Sequence, residues 1–383
     1  MANSFSSKYL NGVKQIAYNG NKIFSPIENI LSPDVIFSED IFKNRIQEIQ
    51  TDKRYFHIHK ISSQIFFSAV EYFKNIEADW CNLPLTTLMI SSPGEIYAGK
   101  KLDYTTDTLP VQIDWFNNEK KIFLSESSQF YLELHLLIKN IDKVFCIYNS
   151  FRKEKADSFH LSEFQHIEFE GKVNFAENTK VLLGLLNHIT NSIVNSCSEN
   201  LLYFLAEKDI ENLVDSFDVK NVTTVTLSDV LNALHRDTKS NDYIEFSLKH
   251  FGAWEEVRAT EIFNSNLLIT EYPVLQIPFY HGEFKTNEHG VMVAENGDLI
   301  SRGYREIAGS GVRVASIDAL REKAVTFNLP VDDYEPYFKT RTLDYQKTSG
   351  FGIGIQRYIQ WLLNIPFIWD ASIIPRTHLL PNP

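Results

Sequence analysis

Gly350, Gly352 and Gly354 alternate in the stretch SGFGIGIQR, and Arg357 follows three positions later. On a strand, residues two apart share a face. One face of this strand therefore carries no side chains, and something flat or bulky can lie against its backbone. The run IQRYIQWLLN has helical period and sets Arg357 near a helix start. The helix dipole disfavours a cation there, which implies an anionic partner such as phosphate. A dinucleotide loop is excluded, because GxGxxG would need glycine at 357, and a P-loop fails because no GK[ST] follows. From the glycines alone, a core strand packed against a large aromatic reads equally well.

A second stretch shifts the balance. FRKEKADSFHLSEFQHIEFEG, residues 151–171, reads as strand, charged loop and strand. Such a hairpin gathers Arg152, Glu154, His160, Glu163, Phe164, Glu168 and Glu170. A solvated charged face is the plainer reading of so many charges. Their interleaving with aromatics along alternating strands suits a pocket for a planar base and a phosphate chain.

The elements that must position these groups follow from hydrophobic period. Apolar residues recur at helical spacing from Tyr55 to Lys74. ADWCNLPLTTLMI follows as a strand broken by Pro84. Short β-rich runs occupy 121–126, 143–151 and 160–171, the last alternating like a half-buried antiparallel strand. Residues 176–260 read as mostly helical; β returns at NLLITEYP and GVMVAENGDLIS, then a helix covers 316–328. The layout is α+β, built around an antiparallel sheet. No internal repeat or low-complexity tract is visible.

Composition narrows the partners. The 383 residues are 44% hydrophobic and 22% charged, ordinary for a globular protein. No apolar run reaches the roughly 18–20 residues that span a bilayer. The start MANSFSSKYLNGVKQ lacks the apolar core of a signal peptide. Cys81, Cys146 and Cys197 form no CxxC pair, so the expectation is a reducing cytoplasm without a zinc site. A net charge of −12 argues against nucleic acid as the main partner.

The pieces FRxE…HLxEFxxxExE, Pro84 after a long helix, and GFGIGxxR…PR resemble the three signature motifs of class II aminoacyl-tRNA synthetases. LSESSQFYLE, LLITEYP…PFY and DLISRGYREIAGSGVR bring the asparaginyl and aspartyl subgroup closest, and the resemblance runs from about residue 55 to 377. It implies an ATP-dependent ligase with a class II catalytic core, a six- or seven-stranded antiparallel sheet and a homodimer built on motif 1.

Roles carry over residue by residue as implications of the resemblance. Arg152 would bind the α-phosphate and the substrate carboxylate, and Glu154 would read the adenine amino group. Phe164 would stack on adenine, with Arg357 on its other side, reaching the γ-phosphate. Gly352 and Gly354 would leave room for the nucleotide, and His160 would help with its terminal phosphates. Asp298 and Glu306 would hold Mg²⁺. Ser127, Gln129 and Arg313 would line the amino-acid pocket. QFYLE carries Leu132 where the aspartyl type has lysine, and Glu133 where the asparaginyl type has glutamate. The resemblance then implies a substrate with a side-chain donor.

Departures cluster around the substrate. Phe159 replaces an arginine that helps hold the terminal phosphates, Gln356 an acid, Thr348 a histidine, and Gly311 a glutamine-like residue. Only about 55 residues precede motif 1, too few for the anticodon-binding barrel of this subgroup. The expected domains are an N-terminal extension, 1–54, and a catalytic domain, 55–383, with a helical insertion at about 176–260. The expected reaction is adenylation of an Asn- or Asp-like amino acid and transfer to an amine or ammonia, giving an amide. Aminoacyl transfer to tRNA or to a protein lysine, and a non-catalytic regulator, remain the alternatives, with tRNA disfavoured.

Overall fold

The computed structural model describes residues 5–10, 13–18, 21–22, 42–91, 109–116, 119–154, 159–343, 345–365 and 367–379. Within the expected extension, Phe5–Leu10, Val13–Tyr18 and Asn21–Lys22 form a three-stranded antiparallel sheet, and 23–41 lie outside the described residues.

The centre of the fold is an eight-stranded sheet. In chain order its strands are β1 (Asp79–Trp80), β2 (Lys143–Phe151), β3 (Glu163–Gly171) and β4 (Val222–Thr226). Then follow β5 (Asn266–Thr270), β6 (Asn296–Ile300), β7 (Glu306–Val312) and β8 (Ser349–Gly354). They lie side by side in the order β4-β5-β6-β7-β8-β3-β2-β1. The six inner strands pair antiparallel, whereas each outermost strand runs parallel to its neighbour. The α+β expectation holds, and the sheet is wider than expected. The additional edge is VTTVT of β4, a β-branched run within the stretch read as mostly helical.

Five helices flank the sheet where it matters here: α1 (Lys53–Asn75) and α3 (Phe175–Ser196) on one face, and α2 (Gln129–His135), α4 (Ala253–Phe263) and α5 (Ile355–Leu362), which bring residues to the cleft. The motif QFYLE lies on α2, outside the β-rich runs that the sequence shows. Seven residues are too few for period to separate helix from strand. The start of α3 is fixed locally, since Asn174 and Glu177 form a reciprocal capping box.

Strand parity divides the sheet. On one face Phe145, Phe169 and Phe351 sit on neighbouring strands, with Phe73 of α1 stacked 4.2 Å from Phe145 and 6.0 Å from Phe169. Leu182, Leu186 and Ile189 of α3 complete this core. Each such side chain contributes roughly 1.5–3 kcal/mol by leaving water. The opposite face is left to the cleft.

Candidate active site

One row of paired residues crosses that face: Cys146, Glu168, Gly352, Gly309 and Asp298, on β2, β3, β8, β7 and β6. Two glycines in the middle leave a bare strip between two carboxyl groups. A Cβ at Gly352 would meet nothing nearer than Glu168 at 3.6 Å, so this glycine opens space to the cleft. Gly350 has a different task. A Cβ there would lie 2.0 Å from Glu170 Oε2 and 2.3 Å from the Phe169 carbonyl oxygen, so Gly350 allows a close approach inside the wall. The three alternating glycines therefore do not form one uniform platform.

The strip floors a cleft of about 610 Å³. Arg152, Glu154, His160, Phe164 and Arg357 border it, as do Asp298 and Glu306. The hairpin is held by a hydrogen bond from Arg152 N to Ser162 O (2.9 Å) and by one from Ser162 N to Arg376 O (2.9 Å). The C-terminal Pro-Arg thus braces the loop that carries Arg152. The Arg152 guanidinium stands over the Phe164 ring, 5.2 Å from its centroid. Its Nε is buried and has no hydrogen-bond partner among the described residues, an arrangement suited to an anion. Arg357 Nη1 donates to Glu306 O (3.1 Å) and lies 3.6 Å from Glu306 Oε2. Burial pushes the proton affinity of Arg357 down, Glu306 opposes this, and Arg305 and Arg152 reinforce it.

The amino-acid side of the cleft is a tighter network. Arg313, fully enclosed, grips Glu170 through Nε and Nη2, the latter at 2.7 Å, and donates to Gln129 Oε1 at 2.5 Å. Its guanidinium lies 5.0 Å from the Tyr280 ring centroid. Gln129 Nε2 donates to Phe351 O (3.0 Å). Ser127 Oγ and Ser128 N both donate to Glu168, at 2.5 and 2.7 Å. Gly311 gives its space to His281, since a Cβ at 311 would lie 2.2 Å from His281 Nδ1. Gln356 Oε1 receives Gln165 N (2.9 Å) and Thr348 Oγ1 lies 3.3 Å from the Tyr345 hydroxyl, so these two departures serve the walls.

Glu133 is the exception among the expected pocket residues. It lies behind the cleft wall, where Arg341 Nη2 (2.8 Å) and the hydroxyls of Tyr337 (2.6 Å) and Tyr345 (3.2 Å) saturate its carboxylate. It does not border the cleft, and its charge is felt by Arg313 and Glu170. The inserted region also divides: Leu248, Phe251 and Glu256 border the cleft, whereas α3 packs on the opposite face.

Asp298 and Glu306 both lean over Gly309, whose Cβ would lie 3.4 Å from Asp298 Oδ1 and 3.3 Å from Glu306 Oε1. Burial, and then the charges of Glu306 and Glu256, hold the Asp298 carboxyl well above the usual range. A divalent cation held by Asp298 and Glu306 would relieve that repulsion. Among the described residues no group of three or more His, Cys, Asp or Glu is placed to hold a metal alone. Two carboxylates that leave the remaining positions to phosphate and water fit Mg²⁺.

His166 lines the same cleft, with Nδ1 2.8 Å from Ser150 Oγ. Burial, Arg152 and Arg357 drive it down to about 3. Between that value and about 6.5, the unfolded chain binds a proton that the folded chain refuses, so stability falls as pH drops through this window. His166→Gln is expected to flatten the acid limb of a plot of melting temperature against pH; an unchanged limb would contradict the assignment.

The hairpin, the glycine strand and the helix-start arginine converge as a class II synthetase catalytic core. The family model "tRNA synthetases class II (D, K and N)" matches residues 41–378, and the chain belongs to this family. It is an ATP-dependent, AMP-forming ligase working with ATP and Mg²⁺. Asparagine–tRNA ligase of Lactobacillus delbrueckii subsp. bulgaricus is 28% identical over 327 residues, covering 85% of this chain and 69% of the relative. The asparagine–tRNA ligase of Thermoplasma acidophilum is 28% identical over 355 residues, covering 88% and 75%. Among solved structures, asparaginyl-tRNA synthetase of Pyrococcus horikoshii complexed with asparaginyl-adenylate superposes with a TM-score of 0.76 at 23% identity, covering 89% of this chain and 73% of that one. Among the described residues, no helix is long and apolar enough to cross a membrane.

The hairpin gathers Glu168 and Glu170, and the resemblance names Ser127 and Arg313, but the sequence does not pair the serine with Glu168 or the arginine with Glu170. Alternation along β3 showed which of its residues share a face. Nothing local marked Glu256, His281 or Arg305, which reach the cleft from other elements.

Proposed function

We propose that this chain activates asparagine, or a close amide analogue, with ATP and passes the aminoacyl group to tRNA. The observation that carries the reading is the division of one cleft. Arg152, Phe164 and Arg357 border a side-chain-free strip at one end, and the buried Arg313–Gln129 pair closes the other. A nucleotide and an amino acid then meet over Gly352, with Arg152 between them. Arg152 would collect the α-phosphate and the attacking carboxylate and spread the charge that grows as the bond to pyrophosphate breaks. Glu154 would accept from the adenine amino group, Phe164 and Arg357 would sandwich the base, and His160 would border the phosphates. Asp298 and Glu306 would hold Mg²⁺, which supplies charge neutralisation at the phosphates. Ser127 would act by orienting Glu168, and Gln129 and Arg313 would meet the amino acid. Catalysis here is positioning and charge, without a covalent enzyme intermediate.

Asparagine is favoured over aspartate by the two relatives' names; Leu132 is buried beside Cys81 and Leu83, away from the cleft, and does not bear on the choice. Transfer to tRNA is favoured over amide formation on the same ground, and the expectation that tRNA is a poor partner gains no support from these relatives. A cytoplasmic setting fits three cysteines that are all free and buried. The test is amino-acid-dependent ATP–pyrophosphate exchange, then acylation of bulk tRNA with ammonia as the competing arm. Exchange with asparagine and acylated tRNA support the reading; an ammonia-dependent amide without acylation overturns the acceptor. Division of the chain into an extension, 1–54, and a catalytic domain with a helical insertion is part of this proposal.

A second copy of the chain is proposed on the outer face of α1, where Phe56, Phe66 and Phe67 are 57%, 47% and 64% exposed. Sedimentation velocity is expected to show a dimer for the native chain and a monomer for Phe67→Glu. A native monomer at micromolar concentration would remove this part.

A further inference from the structure

A third guanidinium stands beside the phosphate end of the cleft. Arg305 lies in the turn between β6 and β7, with its Cζ 5.8 Å from the centroid of the Phe159 ring. Phe159 is buried and presents a ring face in the position where an arginine had been expected. Arg305 Nε donates to Glu256 Oε2 at 3.3 Å. Glu256, in the first turn of α4, also accepts the backbone N–H of Glu306 at 3.2 Å. One carboxylate thus fixes both the guanidinium and the first residue of the acid-bearing strand. Among the described residues the two terminal nitrogens of Arg305 donate no hydrogen bond, and the side chain keeps 20% of its surface in the cleft mouth. Arg305 and Arg152 both weigh on Arg357, so the three cations share one field. Three guanidinium groups crowded on one side of a cleft favour a ligand carrying several negative charges.

We infer that Arg305 grips the terminal phosphate of the bound nucleoside triphosphate, seated on the Phe159 ring and aimed by Glu256. The inference rests on the nucleotide reading above and adds a specific division of labour. Arg152 serves the phosphate where bonds change, and Arg305 serves the far end. The charge missing at 159 is supplied from the turn between β6 and β7, so the cleft retains its cation while the hairpin carries an apolar plate.

The experiment is calorimetric titration of Mg·ATP and of AMP into the native chain, Arg305→Ala and Arg305→Lys, with melting temperature as the folding control. Arg305→Ala is expected to weaken ATP about 10- to 100-fold and to leave AMP within about twofold. Arg305→Lys keeps the charge and the Glu256 pair but loses the fork, and is expected to fall between. Equal losses for ATP and AMP, or ATP affinity unchanged in Arg305→Ala, would overturn the assignment. If Arg305→Ala does not fold, the lysine variant decides: loss confined to ATP supports the inference, and native affinity for both overturns it. A native chain that binds neither nucleotide would instead sink the nucleotide reading itself.

Discussion

Replacing Arg152 with alanine is expected to lower amino-acid-dependent pyrophosphate exchange by about 10³-fold or more, with the melting temperature nearly unchanged. The side chain contributes little to packing. Among the described residues its buried Nε has no hydrogen-bond partner, and its one ring contact is Phe164 at the edge of the cleft. The hairpin does not depend on the guanidinium, because backbone hydrogen bonds from Arg152 N and Ser162 N fix it. Removal therefore deletes the charge that would gather two anions, and leaves the walls standing. Arg152→Lys returns a point charge without the fork, so only part of the rate is expected back. Exchange that survives Arg152→Ala within tenfold would dismiss this residue from the reaction.

The largest stability loss is expected from Arg341→Leu, about 3–5 kcal/mol in chemical denaturation. The Arg341 and Glu133 side chains are both 0% exposed and lie 2.8 Å apart. The guanidinium is stacked between Tyr337 and Tyr345, 4.4 and 4.1 Å from their centroids, and its Nε donates to Val314 O. Without it, Glu133 keeps two tyrosine hydroxyls but loses its counter-charge in an enclosed site. Glu133→Leu combined with Arg341→Leu removes both charges and should recover much of the loss, because the penalty comes from an unpaired ion. A single variant as stable as the double variant would show that the pair is not coupled in this way. The same result bears on substrate choice: Glu133 shapes the pocket from behind, so its replacement should cost stability before it alters selectivity.

Much of this was readable in the residues. The alternation of β3, the glycines of β8 and the apolar stripe of α1 are local periods, and local periods report which face an element buries. That is why the sheet class and the residues of the hairpin were legible. Other features depended on distance. The position of Glu133 is decided by Arg341, Tyr337 and Tyr345, about two hundred residues away in sequence. Arg305 owes its place to Glu256 and Phe159, on two other elements. The parallel edges are set by which strand meets which, a property that no single segment encodes. The motif QFYLE could be aligned by type while its secondary structure stayed ambiguous, since alignment preserves identity and says nothing of backbone angle.

The division of the sheet by strand parity has one more outcome. The step of two that turns Phe145, Phe169 and Phe351 toward α1 also turns Glu168, Gly352 and Gly309 upward. Slipping β2, β3 or β8 by a single residue would turn its phenylalanine into the cleft floor, and in β3 it would also press Glu168 against the apolar core. Such an isomer could neither persist nor turn over a modified substrate, so turnover in this molecule doubles as a yes-or-no gauge of correct sheet assembly.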